Sequence, residues 1–150
     1  MTNITYKLYY GGVNLPGTKK AALILSIPGD NSILVDRDCE SEINDIVRSS
    51  GQIVRFSEAY KARINMLREY REKAPLFNRQ WFEKLKYLTN PSLYSMHLAS
   101  IGNMRIIYVI GKRIILLCAF KEKGEHGKKH EGYTQYIPIA QNRLERYKEV

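Results

Sequence analysis

Leu93-Tyr-Ser-Met-His-Leu-Ala99, Met104-Arg-Ile-Ile-Tyr-Val-Ile110 and Arg113-Ile-Ile-Leu-Leu-Cys-Ala-Phe120 are three strand-like runs separated by short polar breaks. The first alternates, with Tyr94, Met96 and Leu98 on one side and Ser95, His97 and Ala99 on the other, as a strand with two different faces does. The other two are almost continuously apolar, which suits central strands covered on both faces. Gly111-Lys112 reads as a two-residue hairpin turn and Ser100-Ile-Gly-Asn103 as a loop. If that loop is symmetric, His97 lies opposite Arg105 on one face. Arg105 is the one charge inside its apolar run, where a guanidinium must reach solvent or find an anion. Directly downstream, Lys121-Glu-Lys-Gly-Glu-His-Gly-Lys-Lys-His130 is a cationic segment with two glycines.

The 150 residues are one domain's worth of chain and carry a net charge of +9. Residues 1–52 hold 5 Lys and Arg against 6 Asp and Glu, whereas residues 53–150 hold 19 against 9, so the excess sits in the last two thirds. A one-sided excess concentrates anionic partners, and nucleic acid fits best because phosphate neutralisation dominates such binding. No stretch reaches the roughly 18 apolar residues of a spanning helix, and no charged n-region precedes an apolar h-region, so a cytoplasmic protein without a membrane partner is expected. Cys118 reads as a small buried thiol, and Cys39 falls in a polar Asp-Arg-Asp-Cys-Glu turn. These two cysteines with His97, His126 and His130 lack zinc-ligand spacing, and neither metal nor cofactor is expected.

Before residue 53 the pattern reads as an N-terminal extension of small strands (Thr5 to Tyr10, Ala21 to Ile27, Ile33 to Val35) and a short helix capped by Asp38, running through Val47 and stopped by Ser49-Ser50-Gly51. Ile53 to Phe56 reads as one more strand. Ser57 then starts a helix on which Tyr60, Ile64 and Leu67 recur, and after Ala74-Pro75 a second helix from Leu76 to Leu88 aligns Phe77, Trp81, Leu85 and Leu88. Together they predict a helical hairpin. A terminal helix is expected from Ile137-Pro138, with Ala140, Leu144 and Tyr147 on one face and Arg143 projecting outward.

This order of elements resembles the RelE-type toxins of bacterial toxin–antitoxin modules, in particular the HigB-like, phage-associated branch. The resemblance covers about residues 53–148 and rests on Leu93-Tyr-Ser-Met-His-Leu, Met104-Arg-Ile-Ile-Tyr108, Arg113-Ile-Ile-Leu-Leu-Cys-Ala-Phe-Lys-Glu-Lys123 and Pro138-Ile-Ala-Gln-Asn-Arg-Leu-Glu-Arg-Tyr147. It implies an α+β, microbial-ribonuclease-like fold for residues 53–150: helices on one face of a twisted antiparallel sheet, with a basic concave face opposite. It also implies metal-free cleavage of mRNA in the ribosomal A site and a small, DNA-binding cognate antitoxin as partner. Residues 1–52 have no counterpart in the compact family pattern. Within the same superfamily a ParE-like inhibitor of DNA gyrase is the non-enzymatic alternative, and a phage-derived nucleic-acid-binding domain is a third.

Cleavage through a 2′-hydroxyl requires a base, positive charge on the phosphate and a proton for the leaving 5′-oxygen. Arg105 suits the phosphate, because a guanidinium engages its oxygens as a planar fork and stays charged. His97 is the candidate base. Many family members carry lysine nearby and another two residues earlier, where this chain has Ser95, which favours histidine over a lysine-rich mechanism. Lys123 is expected to support the transition state, and His126, His130 and Tyr133 are candidate proton donors. Lys121, Lys128, Lys129, Tyr136 and Arg143 complete the expected RNA-contacting set.

Overall fold

The computed structural model describes residues 8–9, 22–23, 31–87, 89–122 and 131–147. β1 (Leu8–Tyr9) and β2 (Ala22–Leu23) form a two-stranded antiparallel ribbon. β3 (Ile33–Val35), β4 (Phe82–Lys84), β5 (Leu93–Leu98), β6 (Met104–Ile110) and β7 (Ile114–Lys121) form a single sheet in the order β3-β7-β6-β5-β4. The architecture is α+β. The sheet is mixed, not wholly antiparallel as expected, because β3 runs parallel to β7. Two layers cover it. α1 (Arg37–Ser50) and α2 (Ile53–Tyr70) pack on Phe82, Met96, Ile106, Tyr108, Ile114 and Leu116. α4 (Glu131–Leu144) packs on the opposite face against Leu93, Ile107, Val109, Ile115, Leu117 and Phe120. β6 and β7 are therefore central and doubly covered, as their apolar runs suggested.

The expected hairpin of a Ser57 helix with a 76–88 helix does not form; the two helices on this face are α1, expected as part of the N-terminal extension, and α2. α1 is capped by Asp36, two residues before the expected Asp38, with its carboxylate accepting from the Asp38 and Cys39 amides at 2.9 and 3.3 Å. It ends at Gly51, whose φ of +68° is the left-handed conformation that lets its amide donate to the Val47 carbonyl and close the helix. The next residues, Ile53 to Phe56, are the first turn of α2 and not a strand: Phe56, Tyr60, Ile64 and Leu67 recur at helical spacing and are all buried. Cys39 is fully buried in the first turn of α1, not in a polar loop, and burial pushes its thiol well up. Because β3 and α1 share this sheet and core with the residues after 53, residue 52 does not separate two packing units.

The expected second helix over 76–88 is replaced by a 3₁₀ turn (Arg71–Lys73), the four-residue α3 (Ala74–Phe77) and β4. Asn78 adopts an extended backbone, and its side chain accepts from the Gln80 and Trp81 amides at 3.1 Å each, which turns the chain into β4. The exposed edge of β5 then recruits Phe82, Glu83 and Lys84, so Phe82 points to the α1–α2 core while Leu85 reaches the α4 core. Four-residue spacing of Phe77, Trp81 and Leu85 mimicked a helical face. Leu88 lies outside the described residues.

α4 starts six residues before the expected Ile137, and Pro138 lies inside it on the exposed side. Tyr133, Ile137 and Ala140 form its buried face. Gly132 allows the close approach, since a Cβ there would sit 2.5 Å from the Phe120 ring. Among the described residues, no helix is long and apolar enough to cross a membrane.

Candidate active site

The ends of β5 and β7 and the start of β6 converge at one end of the sheet, on the face that α4 covers. His97 and Arg105 are direct partners across the β5–β6 ladder, as the symmetric loop required. Phe120 is the partner of Arg105 on β7, and Glu83 is the partner of Ser95 on β4. All of these side chains share the α4 face, because opposed residues in a ladder point the same way.

A chain of polar contacts runs across this end. The hydroxyls of the fully buried Ser95 and of Tyr133 are hydrogen-bonded at 2.8 Å, the Tyr133 hydroxyl lies 3.3 Å from His97 Nε2, and the same nitrogen lies 3.3 Å from Glu83 Oε2. One ring nitrogen therefore faces a carboxylate and a phenol, so it can donate to the first or accept from the second, and its proton decides which. The backbone of His97 is pinned on both sides of its ring: its amide donates to the Trp81 carbonyl at 2.7 Å, and its carbonyl accepts from Arg63 Nε at 2.7 Å. Arg63 in turn lies 4.2 Å above the Trp81 ring, and burial lowers its guanidinium to about 10. The histidine is thus held by packing and hydrogen bonds on elements α2, β4 and α4, as a preorganised group must be.

Burial, the largest influence, pushes the Tyr133 hydroxyl up to about 12; the Ser95 bond and the positive charge of Arg105 oppose that rise, and Glu83 and Glu122 add to it. The phenol keeps its proton at neutral pH and is a donor, not a base. Arg105 is half-buried, and its Nη1 is shielded from solvent with no hydrogen-bond partner among the described residues. A shielded guanidinium nitrogen left unpaired is costly in a resting protein and is relieved by an incoming anion.

Of the residues singled out from sequence, His97, Arg105 and Tyr133 come together. Lys121 is exposed at the end of β7 but on the α1 face of the sheet, opposite Met104 and away from His97 and Arg105. Lys123, His126, His130, Lys128 and Lys129 lie outside the described residues. Tyr136 stacks on Phe120 with centroids 4.5 Å apart and planes 5° from parallel, so this ring already has an aromatic partner. Arg143 does not project outward as expected: it donates to both carboxylate oxygens of Glu42 at 2.7 and 2.8 Å and to the Leu117 carbonyl at 2.9 Å. Glu83 would face solvent on the expected 76–88 helix, opposite Phe77, Trp81 and Leu85, and only the β4 register brings it to the histidine. Ser95 was noted only as a departure from lysine; its burial under Tyr133 leaves no room for a longer cation. No protein-family model, no curated protein and no solved structure matches the chain.

Proposed function

We propose that this chain is an endoribonuclease of the RelE-like, HigB-related kind, a toxin that cleaves mRNA in the ribosomal A site and is held in check by a cognate antitoxin. The observation that carries the reading is the juxtaposition of His97 and Arg105 across one ladder, the first oriented by Glu83 and Tyr133, the second presenting an unpaired guanidinium nitrogen. The three-stranded meander of β5, β6 and β7, with α2 on one sheet face, supports it as well, although α4 covers the face that the resemblance leaves basic and open.

In this reading His97 Nε2 takes the proton of the 2′-hydroxyl, whose oxygen attacks the adjacent phosphorus as the bond to the 5′-oxygen breaks. Glu83 supplies a counter-charge to the imidazolium, and Arg105 meets the negative charge that builds on the phosphate. The leaving 5′-oxygen takes its proton from a second group; among the described residues Tyr133 is the candidate, its proton retained at neutral pH. The products are a 2′,3′-cyclic phosphate and a 5′-hydroxyl.

The experiment is expression in a translating extract with primer extension on the message. Wild type is expected to cut within the coding region, and His97→Ala and Arg105→Ala each to lower cutting at least a hundredfold while remaining folded. Undiminished cutting by both variants refutes the assigned site. Absence of cutting, together with stalled supercoiling by DNA gyrase, refutes the ribonuclease reading in favour of gyrase inhibition.

A further inference from the structure

On the α4 face, at the outer edge of the sheet, a cavity of about 260 Å³ is lined by Glu83, Leu85, Lys86 and Tyr87. None of these residues except Glu83 enters the cleavage chemistry. The cavity starts where the site ends: Glu83 forms one wall, and its carboxylate is the group 3.3 Å from His97 Nε2. Leu85 is buried against the α4 core and provides an apolar floor. Tyr87 is 37% exposed, an aromatic face left open to solvent, and Lys86 is exposed beside it. The volume lies just under the roughly 300 Å³ at which pockets begin to take drug-sized ligands, which suits a fragment the size of one nucleobase.

We infer that this cavity is a base-binding subsite that takes the nucleobase of a nucleotide flanking the scissile phosphate, stacked on Tyr87 above Leu85, with Lys86 on the backbone. An aromatic ring, an apolar floor and a lysine together match single-stranded RNA: every base offers a π-face to the ring, and every linkage offers a charge to the lysine. A protein side chain would not need the lysine, and an isolated phosphate would be repelled by Glu83. The subsite would fix which phosphate reaches His97 and Arg105, since a base seated beside Glu83 sets the register of the strand. The inference rests on the ribonuclease reading and deepens it.

The test uses a short single-stranded RNA with a fluorescent purine analogue at each position in turn and 2′-O-methyl sugars throughout, so that it binds without being cut. Wild type is expected to quench the analogue at one position only. Tyr87→Ala should abolish that quenching and weaken binding about 5- to 160-fold, the range of one base–aromatic stack, whereas Tyr87→Trp should restore both. Arg105→Ala should weaken binding while leaving the quenching in place at saturation. If Tyr87→Ala binds and quenches as wild type does, while Arg105→Ala still weakens binding and abolishes message cleavage, the subsite is wrong and the ribonuclease reading stands. If wild type neither binds the RNA nor cuts message, both fall.

Discussion

Arg143 gives the sharpest separation between an RNA-binding cation and a structural one. Its guanidinium forms a fork with Glu42, donating at 2.7 and 2.8 Å, and a third bond reaches the Leu117 carbonyl at 2.9 Å. Glu42 also accepts from the Ala119 amide at 3.1 Å. Leu117 is the residue passed over at the register shift in β7 and Ala119 lies two residues on, both beyond Leu116, the last residue that pairs with β3. The pair therefore closes a gap in the ladder and ties α4 to α1. The two side chains are 12% and 27% exposed, so water screens them partly. Removing one partner of a fully buried pair costs about 3–5 kcal/mol, and the partial exposure here places Arg143→Ala near the lower end, about 3 kcal/mol. For a chain of this size about 3 kcal/mol lowers Tm by roughly 6–12 °C. Denaturant melts of Arg143→Ala, Glu42→Gln and the double variant should give a coupling energy of at least about 1.5 kcal/mol, in the range found for residues in one network. RNA affinity, corrected for the folded fraction, should keep its salt dependence, because this charge is already neutralised at home. A destabilisation below about 1 kcal/mol, accompanied by a salt slope shallower by about one counterion, would refute the structural assignment and return Arg143 to the RNA.

Gly132→Ala is expected to destabilise despite the helix gaining a better former, worth up to about 1 kcal/mol. The new Cβ would meet Phe120 Cε2 at 2.5 Å, and Phe120 cannot yield because Tyr133 and Tyr136 flank its ring, so overpacking of about 1–3 kcal/mol wins; a variant that melts above wild type sinks this account of the α4 start. Glu83→Gln keeps the size of the side chain and removes the charge beside His97 Nε2, so single-turnover cleavage should slow about tenfold, part of the hundredfold or more that acid–base catalysis commands, with RNA affinity within a factor of two; an unchanged rate would leave Glu83 without a role in the chemistry. Alkaline stability follows from two tyrosines, Tyr133 and Tyr147, whose hydroxyls are pushed up to about 12, in both cases chiefly by burial. In the unfolded chain they titrate near 10. Folded values above unfolded ones mean that the stabilisation is intact below about pH 10 and is lost as pH rises from about 10 to about 12; melts across that range with phenolate absorbance as the second signal should show the loss, and a flat profile contradicts it.

The sheet was legible where local pattern and tertiary demand agree. The alternation of residues 93–99 and the apolar runs that follow dictate β5, β6 and β7, and the short loop between β5 and β6 dictates the His97–Arg105 pairing. Reading failed where partners far apart in sequence decide. Ile33 to Val35 looked like part of a separate ribbon because nothing local reveals its parallel pairing with β7, more than seventy residues away. Residues 82–84 carry helical spacing, yet an open sheet edge captures them as β4. Glu83 could not be found as a site residue for that reason: on a helix it faces solvent, and on β4 it faces the histidine. Arg143 was expected to project outward because its partner Glu42 lies 101 residues away on an element first placed outside the domain.

α4 joins fold and site through one feature, the pairing of Ser95 with Tyr133. A lysine at position 95 would need a path to solvent, which α4 blocks, so the small hydroxyl and the helix that covers it are two halves of one arrangement. Tyr133 fills the space above Ser95, meets the edge of Phe120 at 5.4 Å and turns its hydroxyl to His97. Shedding the helix would expose the apolar face of β6 and β7 and release His97 from its contact with Tyr133. The turn that follows α4 resists this through Asp36, a fully buried carboxylate that caps α1 while accepting from Tyr147 at 2.6 Å and from Arg146 at 3.1 Å. Stability and the proposed catalysis thus share the same helix: whatever holds the turn after it on α1 also holds its first turn on the histidine.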